Sequence, residues 1–172
     1  MNTKTLVVLA LFAGMGTALH LLIPGALLMK PDMSLLMMFL GILLFPGVKN
    51  VLLIGLATGV LSGLTTTFPG GFLPNLIDKP ITAFIFYGLI LLGARFVKSA
   101  VGAGIFAGVG TLVSGLIFLG SAAVLVGLPG PIMALFASAV LPAIAVNSVL
   151  MAIMYPIAKT IMKRSNLIET AA

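Results

Sequence analysis

The chain has 172 residues, of which 61% are hydrophobic and only 7% charged, and its mean hydropathy is +1.32. Soluble domains carry about 25% charged residues, so this composition excludes a soluble protein; the length suits about six or seven membrane crossings of roughly 20 residues each, with nothing left for a separate soluble domain. The formal charge of +6 comes from basic residues spread over the ends of apolar segments, a topology signal rather than a nucleic-acid surface, and the absence of cysteine excludes disulfides, thiolate metal sites and cysteine nucleophiles.

The first apolar run follows Lys4 and continues to Ile23. It has the outline of a signal peptide but is long enough to span, so it is read as a retained helix, Thr5–Pro24. Breaks at proline, glycine and charge clusters then give Asp32–Phe45, Asn50–Thr67, Pro80–Phe96, Ala100–Val126 and Pro131–Ala158. The predicted fold is an all-α membrane protein of six transmembrane helices, a single transmembrane domain over residues 1–172. The second helix is short for a span and is expected to be shielded by protein; the last two are long, expected to tilt or break, with Pro142 a candidate kink. Ten-residue alternating segments are missing, which argues against a β-barrel.

With the N-terminus inside, Lys4, Lys49, Arg95, Lys98, Lys159, Lys163 and Arg164 fall on the cytoplasmic side. Only Lys30 and Lys79 fall outside, each near a carboxylate, Asp32 and Asp78. This asymmetry predicts six crossings with both termini cytoplasmic.

Three helices carry small residues at every fourth position: Ala10, Gly14 and Ala18; Gly55, Gly59 and Gly63; Gly104 and Gly108. Each set lies on one helix face and permits close backbone approach, so internal packing is the expectation for the second and third sets. For the first set, internal packing is left open.

The chain has no GxxxxGK[ST] loop, no HExxH and no paired mid-helix carboxylates, so neither ATP hydrolysis nor another enzymatic activity is expected, and no metal or organic cofactor. Polar residues gather instead near the proposed external face: His20, Lys30, Asp32, Asn75, Asp78 and Lys79. Charge near hydrocarbon is costly unless paired or functional, which makes this cluster the candidate substrate site; interfacial loop pairs are the alternative. It offers a cation and an anion, the complement of a zwitterionic amino acid. Phe84 and Tyr87, with Phe68, Phe72, Phe86, Phe118 and Phe136, are candidates for an aromatic wall, against an interfacial belt as the alternative. Asn147 is the carboxamide inside the last apolar run and must find partners there, on another helix or on the ligand.

The segments LALFAGMGTALH (Leu9–His20), MKPDMSLLMMFLGILLFP (Met29–Pro46), NVLLIGLATGVLSGLTTTFPGG (Asn50–Gly71) and PNLIDKPITAF (Pro74–Phe84) resemble the bacterial tryptophan transporter family, TrpP. The resemblance runs nearly end to end, through GLPG at Gly127–Gly130 and the closing YP and KRSN stretches. That family is grouped with the S components of energy-coupling factor (ECF) transporters, six-helix proteins that bind a substrate from outside. The resemblance therefore implies an ECF S component-like bundle in a bacterial cell membrane, surrounded by lipid, with tryptophan or a related small molecule as substrate. It also implies an ECF coupling subunit and two cytoplasmic ATPases as partners, docked through a small-residue face at Ala10, Gly14 and Ala18. Gly14 departs from the strict alanine of that face. The main alternative is an S component for a vitamin or vitamin precursor. Readings of another class are a membrane-embedded enzyme, revealed by turnover without ATPase partners, and a channel or structural protein, revealed by ATP-independent flux.

Overall fold

A computed structural model of the chain describes residues 2–22 and 32–167. Its helices are α1 (Thr3–Leu22), α2 (Met33–Leu44), α3 (Val48–Thr65), α4 (Phe72–Leu92), α5 (Ala100–Leu125) and α6 (Ile132–Arg164). The described residues contain no strand. Five of the six helices are long and apolar enough to cross a membrane. The exception is α2, with 12 residues.

At 1.5 Å per residue α2 reaches only about 18 Å, well short of a hydrocarbon core of about 30 Å. All of its residues from Met33 to Leu44 are buried, because α1, α3, α4, α5 and α6 each pack on it. At each of its ends a side chain meets a backbone group. The Asp32 carboxylate Oδ1 accepts from the Leu35 N–H at 3.1 Å, and Asn50 Nδ2 donates to the Phe45 carbonyl at 3.1 Å. Phe39 of α2 stacks on Phe86 of α4, with centroids 4.0 Å apart, at the centre of the apolar core. The outer faces of the long helices carry exposed Leu11, Leu64, Leu92, Val101 and Val124, a surface suited to lipid.

Glycines set how closely the helices approach. A Cβ at Gly59 would lie 3.2 Å from the Asn75 carbonyl oxygen of α4, and one at Gly104 would lie 2.7 Å from the Ser148 carbonyl oxygen of α6. The small-residue sets of α3 and α5 thus serve internal packing. In α1 the tight contact is Gly16, whose Cβ would come within 2.9 Å of Ser34 Cα. Ala10, Gly14 and Ala18 are exposed, and a Cβ at Gly14 would meet nothing within 4 Å.

Two elements differ from the sequence expectation. The fourth helix, predicted to begin at Pro80, begins at Phe72. Pro74 sits in its first turn, where no N–H is required, and Pro80 gives up one hydrogen bond while its ring rests against the glycine face of α3, 3.4 Å from a Cβ position at Gly59. Asn75, Asp78 and Lys79 are consequently helical, not loop residues. In α6 the expected kink at Pro142 takes the form of a π-helical segment, Phe136–Val140, closed by the Leu141 N–H on the Phe136 carbonyl. The wider turn eases the clash between the Pro142 ring and the carbonyl four residues earlier. Beyond it α6 continues past Ala158 to Arg164.

Candidate functional site

The chain order of the helices brings the end of α1, the start of α2, the end of α3, the start of α4, the second half of α5 and the start of α6 to one end of the bundle. There they enclose a cavity of about 370 Å³, within the range of about 300–1,000 Å³ common for small-molecule sites. Lys4, Lys49, Arg95, Lys98, Lys159, Lys163 and Arg164 lie toward the other ends of these helices.

Lys79 is the centre of the polar wall. Its ammonium lies 2.6 Å from Asp32 Oδ2 and 2.8 Å from Asp78 Oδ2, and donates to Ser114 Oγ at 3.3 Å. Asp78 is fully buried and accepts from Thr82 Oγ1 at 2.7 Å and from Ser114 Oγ at 2.7 Å. Three helices are thereby joined through one cation: α2 by its N-cap, α4 by Asp78 and Lys79, α5 by Ser114. A buried charge survives in a membrane bundle only with such compensation. Counted as ionised groups, one ammonium and two carboxylates sum to −1.

His20, Asp32, Asn75 and Lys79 line the cavity. Asp78 stands behind Lys79 and holds it. Asn147 is buried away from the cavity, donating to Thr111 Oγ1 at 3.0 Å, and Thr111 itself lines the cavity. Phe84 and Tyr87 are not brought to the cavity. Phe84, five residues beyond Lys79 and so turned about 140° around the helix, is 39% exposed on the outer side, while Tyr87 packs against the apolar core. The aromatic lining comes from Phe68 and Phe118, which meet edge to face at 5.2 Å. Lys30 lies outside the described residues.

Hydroxyl residues are the contribution that sequence reasoning missed. Ser62, Thr66, Thr111, Ser114 and Ser138 all reach the cavity, and Ser138 arrives there in the π-helical segment. Spacing gave a signal: Thr111 and Ser114 are three apart on α5, and Thr58 and Ser62 four apart beside the glycines of α3. Ser62 Oγ and His20 Nδ1 are buried atoms without a hydrogen-bond partner among the described residues.

A family model described as "Tryptophan transporter TrpP" matches residues 2–163. A protein of Bacillus subtilis (strain 168) named "Probable tryptophan transport protein" is 54% identical over 172 residues, covering 99% of each chain. Proteins of the same name from Clostridium perfringens and Clostridium acetobutylicum are 37% identical over 97% of each chain and 39% identical over 95% of this chain and 96% of the relative. No solved structure matches. With the family model and these relatives spanning nearly its whole length, the chain, a multi-pass bacterial membrane protein, belongs to the tryptophan transporter family TrpP.

Proposed function

We propose that this protein binds L-tryptophan from outside the cell and delivers it inward as the substrate-binding membrane subunit of an importer, energised by a separate ECF coupling subunit and two cytoplasmic ATPases. The observation that carries the substrate reading is a single cavity lined both by an ion-paired Asp32 and Lys79 and by the aromatic pair Phe68 and Phe118. A charged polar head and an indole ring need those two surfaces. The names of the relatives agree with this substrate.

In this reading the chain is one domain that crosses the membrane six times, α2 counting as a crossing because its neighbours enclose it. The basic ends face the cytoplasm with both termini, and the cavity opens outward. The uncovered face of Ala10, Gly14 and Ala18 supports a partner surface on α1, since no helix of the described chain occupies it.

The chain has no tryptophan and two tyrosines, so red-edge excitation sees the ligand almost alone. Titrating purified protein with L-tryptophan should shift the indole emission to the blue and raise its anisotropy. Silence up to about 1 mM, where binding would contribute only about −4 kcal/mol, with thermal protection by a vitamin instead, would reject tryptophan. Tryptophan flux into liposomes without ATP or partner subunits would reject the energised mechanism.

A further inference from the structure

Lys79 is the obvious reader of a ligand carboxylate, yet its donors are already committed. An ammonium has three N–H donors, and Lys79 Nζ has three oxygens around it: Asp32 Oδ2 at 2.6 Å, Asp78 Oδ2 at 2.8 Å and Ser114 Oγ at 3.3 Å. Its side chain is only 4% exposed. A ligand anion placed there would have to displace one of these partners and would meet two carboxylates. Asp32 presents the opposite situation. Its side chain is 23% exposed at the cavity wall, and an ionised carboxylate has about four acceptor positions. The described contacts are the Leu35 N–H on Oδ1 and Lys79 on Oδ2, which leaves acceptor capacity on the cavity side. A second group with unmet capacity is Ser62 Oγ on α3, which lines the same cavity, is 4% exposed as a residue and has no partner among the described residues.

We propose that the ligand is read at its positive end: Asp32, held in place by Lys79, accepts the α-ammonium of the substrate, and Ser62 supplies a second polar contact. The ligand class is therefore primary ammonium compounds with an aromatic side chain, and the carboxylate is the lesser determinant. Lys79 acts as a positioning residue, fixing Asp32 without touching the ligand. This rests on the proposal that the cavity is the substrate site.

The test compares ligands on the wild-type chain, so it does not depend on a variant folding. Purified full-length protein is titrated separately with L-tryptophan, with tryptamine, which keeps the ammonium, and with indole-3-propionate, which keeps the carboxylate, each followed by the anisotropy of its own indole. A charge-assisted hydrogen bond gained or lost corresponds to about a ten- to hundred-fold change in affinity, so tryptamine should bind at least tenfold more tightly than indole-3-propionate. Asp32→Asn should erase that preference and Asp32→Glu should retain it. Ser62→Ala should weaken all ligands that keep the ammonium. If L-tryptophan binds and indole-3-propionate equals or surpasses tryptamine, the polarity is overturned while the substrate stands. If L-tryptophan fails to bind but phenethylamine protects the protein from heat better than 3-phenylpropionate does, the substrate falls and the polarity stands. Protection by none of these compounds overturns both.

Discussion

Replacing Lys79 by methionine tests the central claim about the site, that one cation compensates two carboxylates inside the bundle. The substitution keeps an unbranched side chain, one atom shorter, and removes the ammonium with its charge and its donors to Asp78 and Ser114. Asp78, with no exposed surface, and Asp32 would then face each other without the ammonium that lies within 2.8 Å of both. Breaking a buried ion pair from one side costs about 3–5 kcal/mol. The hydroxyls of Thr82 and Ser114 still bind Asp78 at 2.7 Å, which places the expected loss near the lower end, about 3 kcal/mol. Removing the surplus charge as well should recover part of it, so Asp78→Asn combined with Lys79→Met should be more stable than Lys79→Met alone, with a coupling of about 1–3 kcal/mol. Denaturation in mixed micelles with increasing SDS measures the differences, with Lys163→Met, at the exposed end of α6, as the control. A Lys79→Met protein as stable as the control, or a double variant that loses the sum of the two single losses, would refute the compensation argument.

Tryptophan affinity should fall by about ten- to hundred-fold in both Asp78→Asn and Lys79→Met, since Lys79 holds Asp32 by an ion pair and Asp78 holds Lys79; equilibrium titration checks this. Gly14→Leu should leave folding and tryptophan binding intact and impair uptake, because its face is open, whereas Gly16→Leu should fail to fold against the Ser34 backbone; uptake in cells and binding in detergent separate the two. Asn147→Leu should change stability by less than about 1 kcal/mol, since Thr111 Oγ1 keeps its bond to the Ala107 carbonyl at 2.8 Å and the unpartnered Asn147 Oδ1 disappears; the same SDS titration measures it. In the cysteine-free chain, thiol reagents should label Ser99→Cys and Ser165→Cys only from the cytoplasmic side and Thr67→Cys only from outside, and labelling of Ser99→Cys in intact cells would overturn the proposed orientation.

The charged part of the candidate site was legible because acidic residues are so rare in this chain that Asp32 and Asp78 draw attention wherever they stand. What was not legible was their setting. Pro80 read as a boundary because proline usually ends a helix, and only the glycine face of α3 makes room for it inside α4. Once α4 begins at Phe72, helical phase carries Asn75 and Lys79 toward the cavity and Phe84 away from it, a choice that depends on that start and on which neighbours surround α4. Serine and threonine were passed over for a related reason. In a membrane helix they satisfy themselves on the preceding turn, as Thr17, Thr65 and Thr111 do, and sequence alone does not separate these from Ser114, which reaches across to Asp78. The bulge before Pro142 was visible as a perturbation, but not as the segment that carries Ser138 to the cavity.

The complete enclosure of α2 bears on how the protein is made. This helix leaves the ribosome second, before α3, α4, α5 and α6, which together with α1 cover it in the finished fold. Until they arrive it is a 12-residue segment too short to reach both headgroup layers, with the Asp32 carboxylate at its leading end lacking Lys79. A chain interrupted before α4 therefore leaves α2 without the cover of α4, α5 and α6 and leaves Asp32 without the Lys79 ammonium that pairs with it.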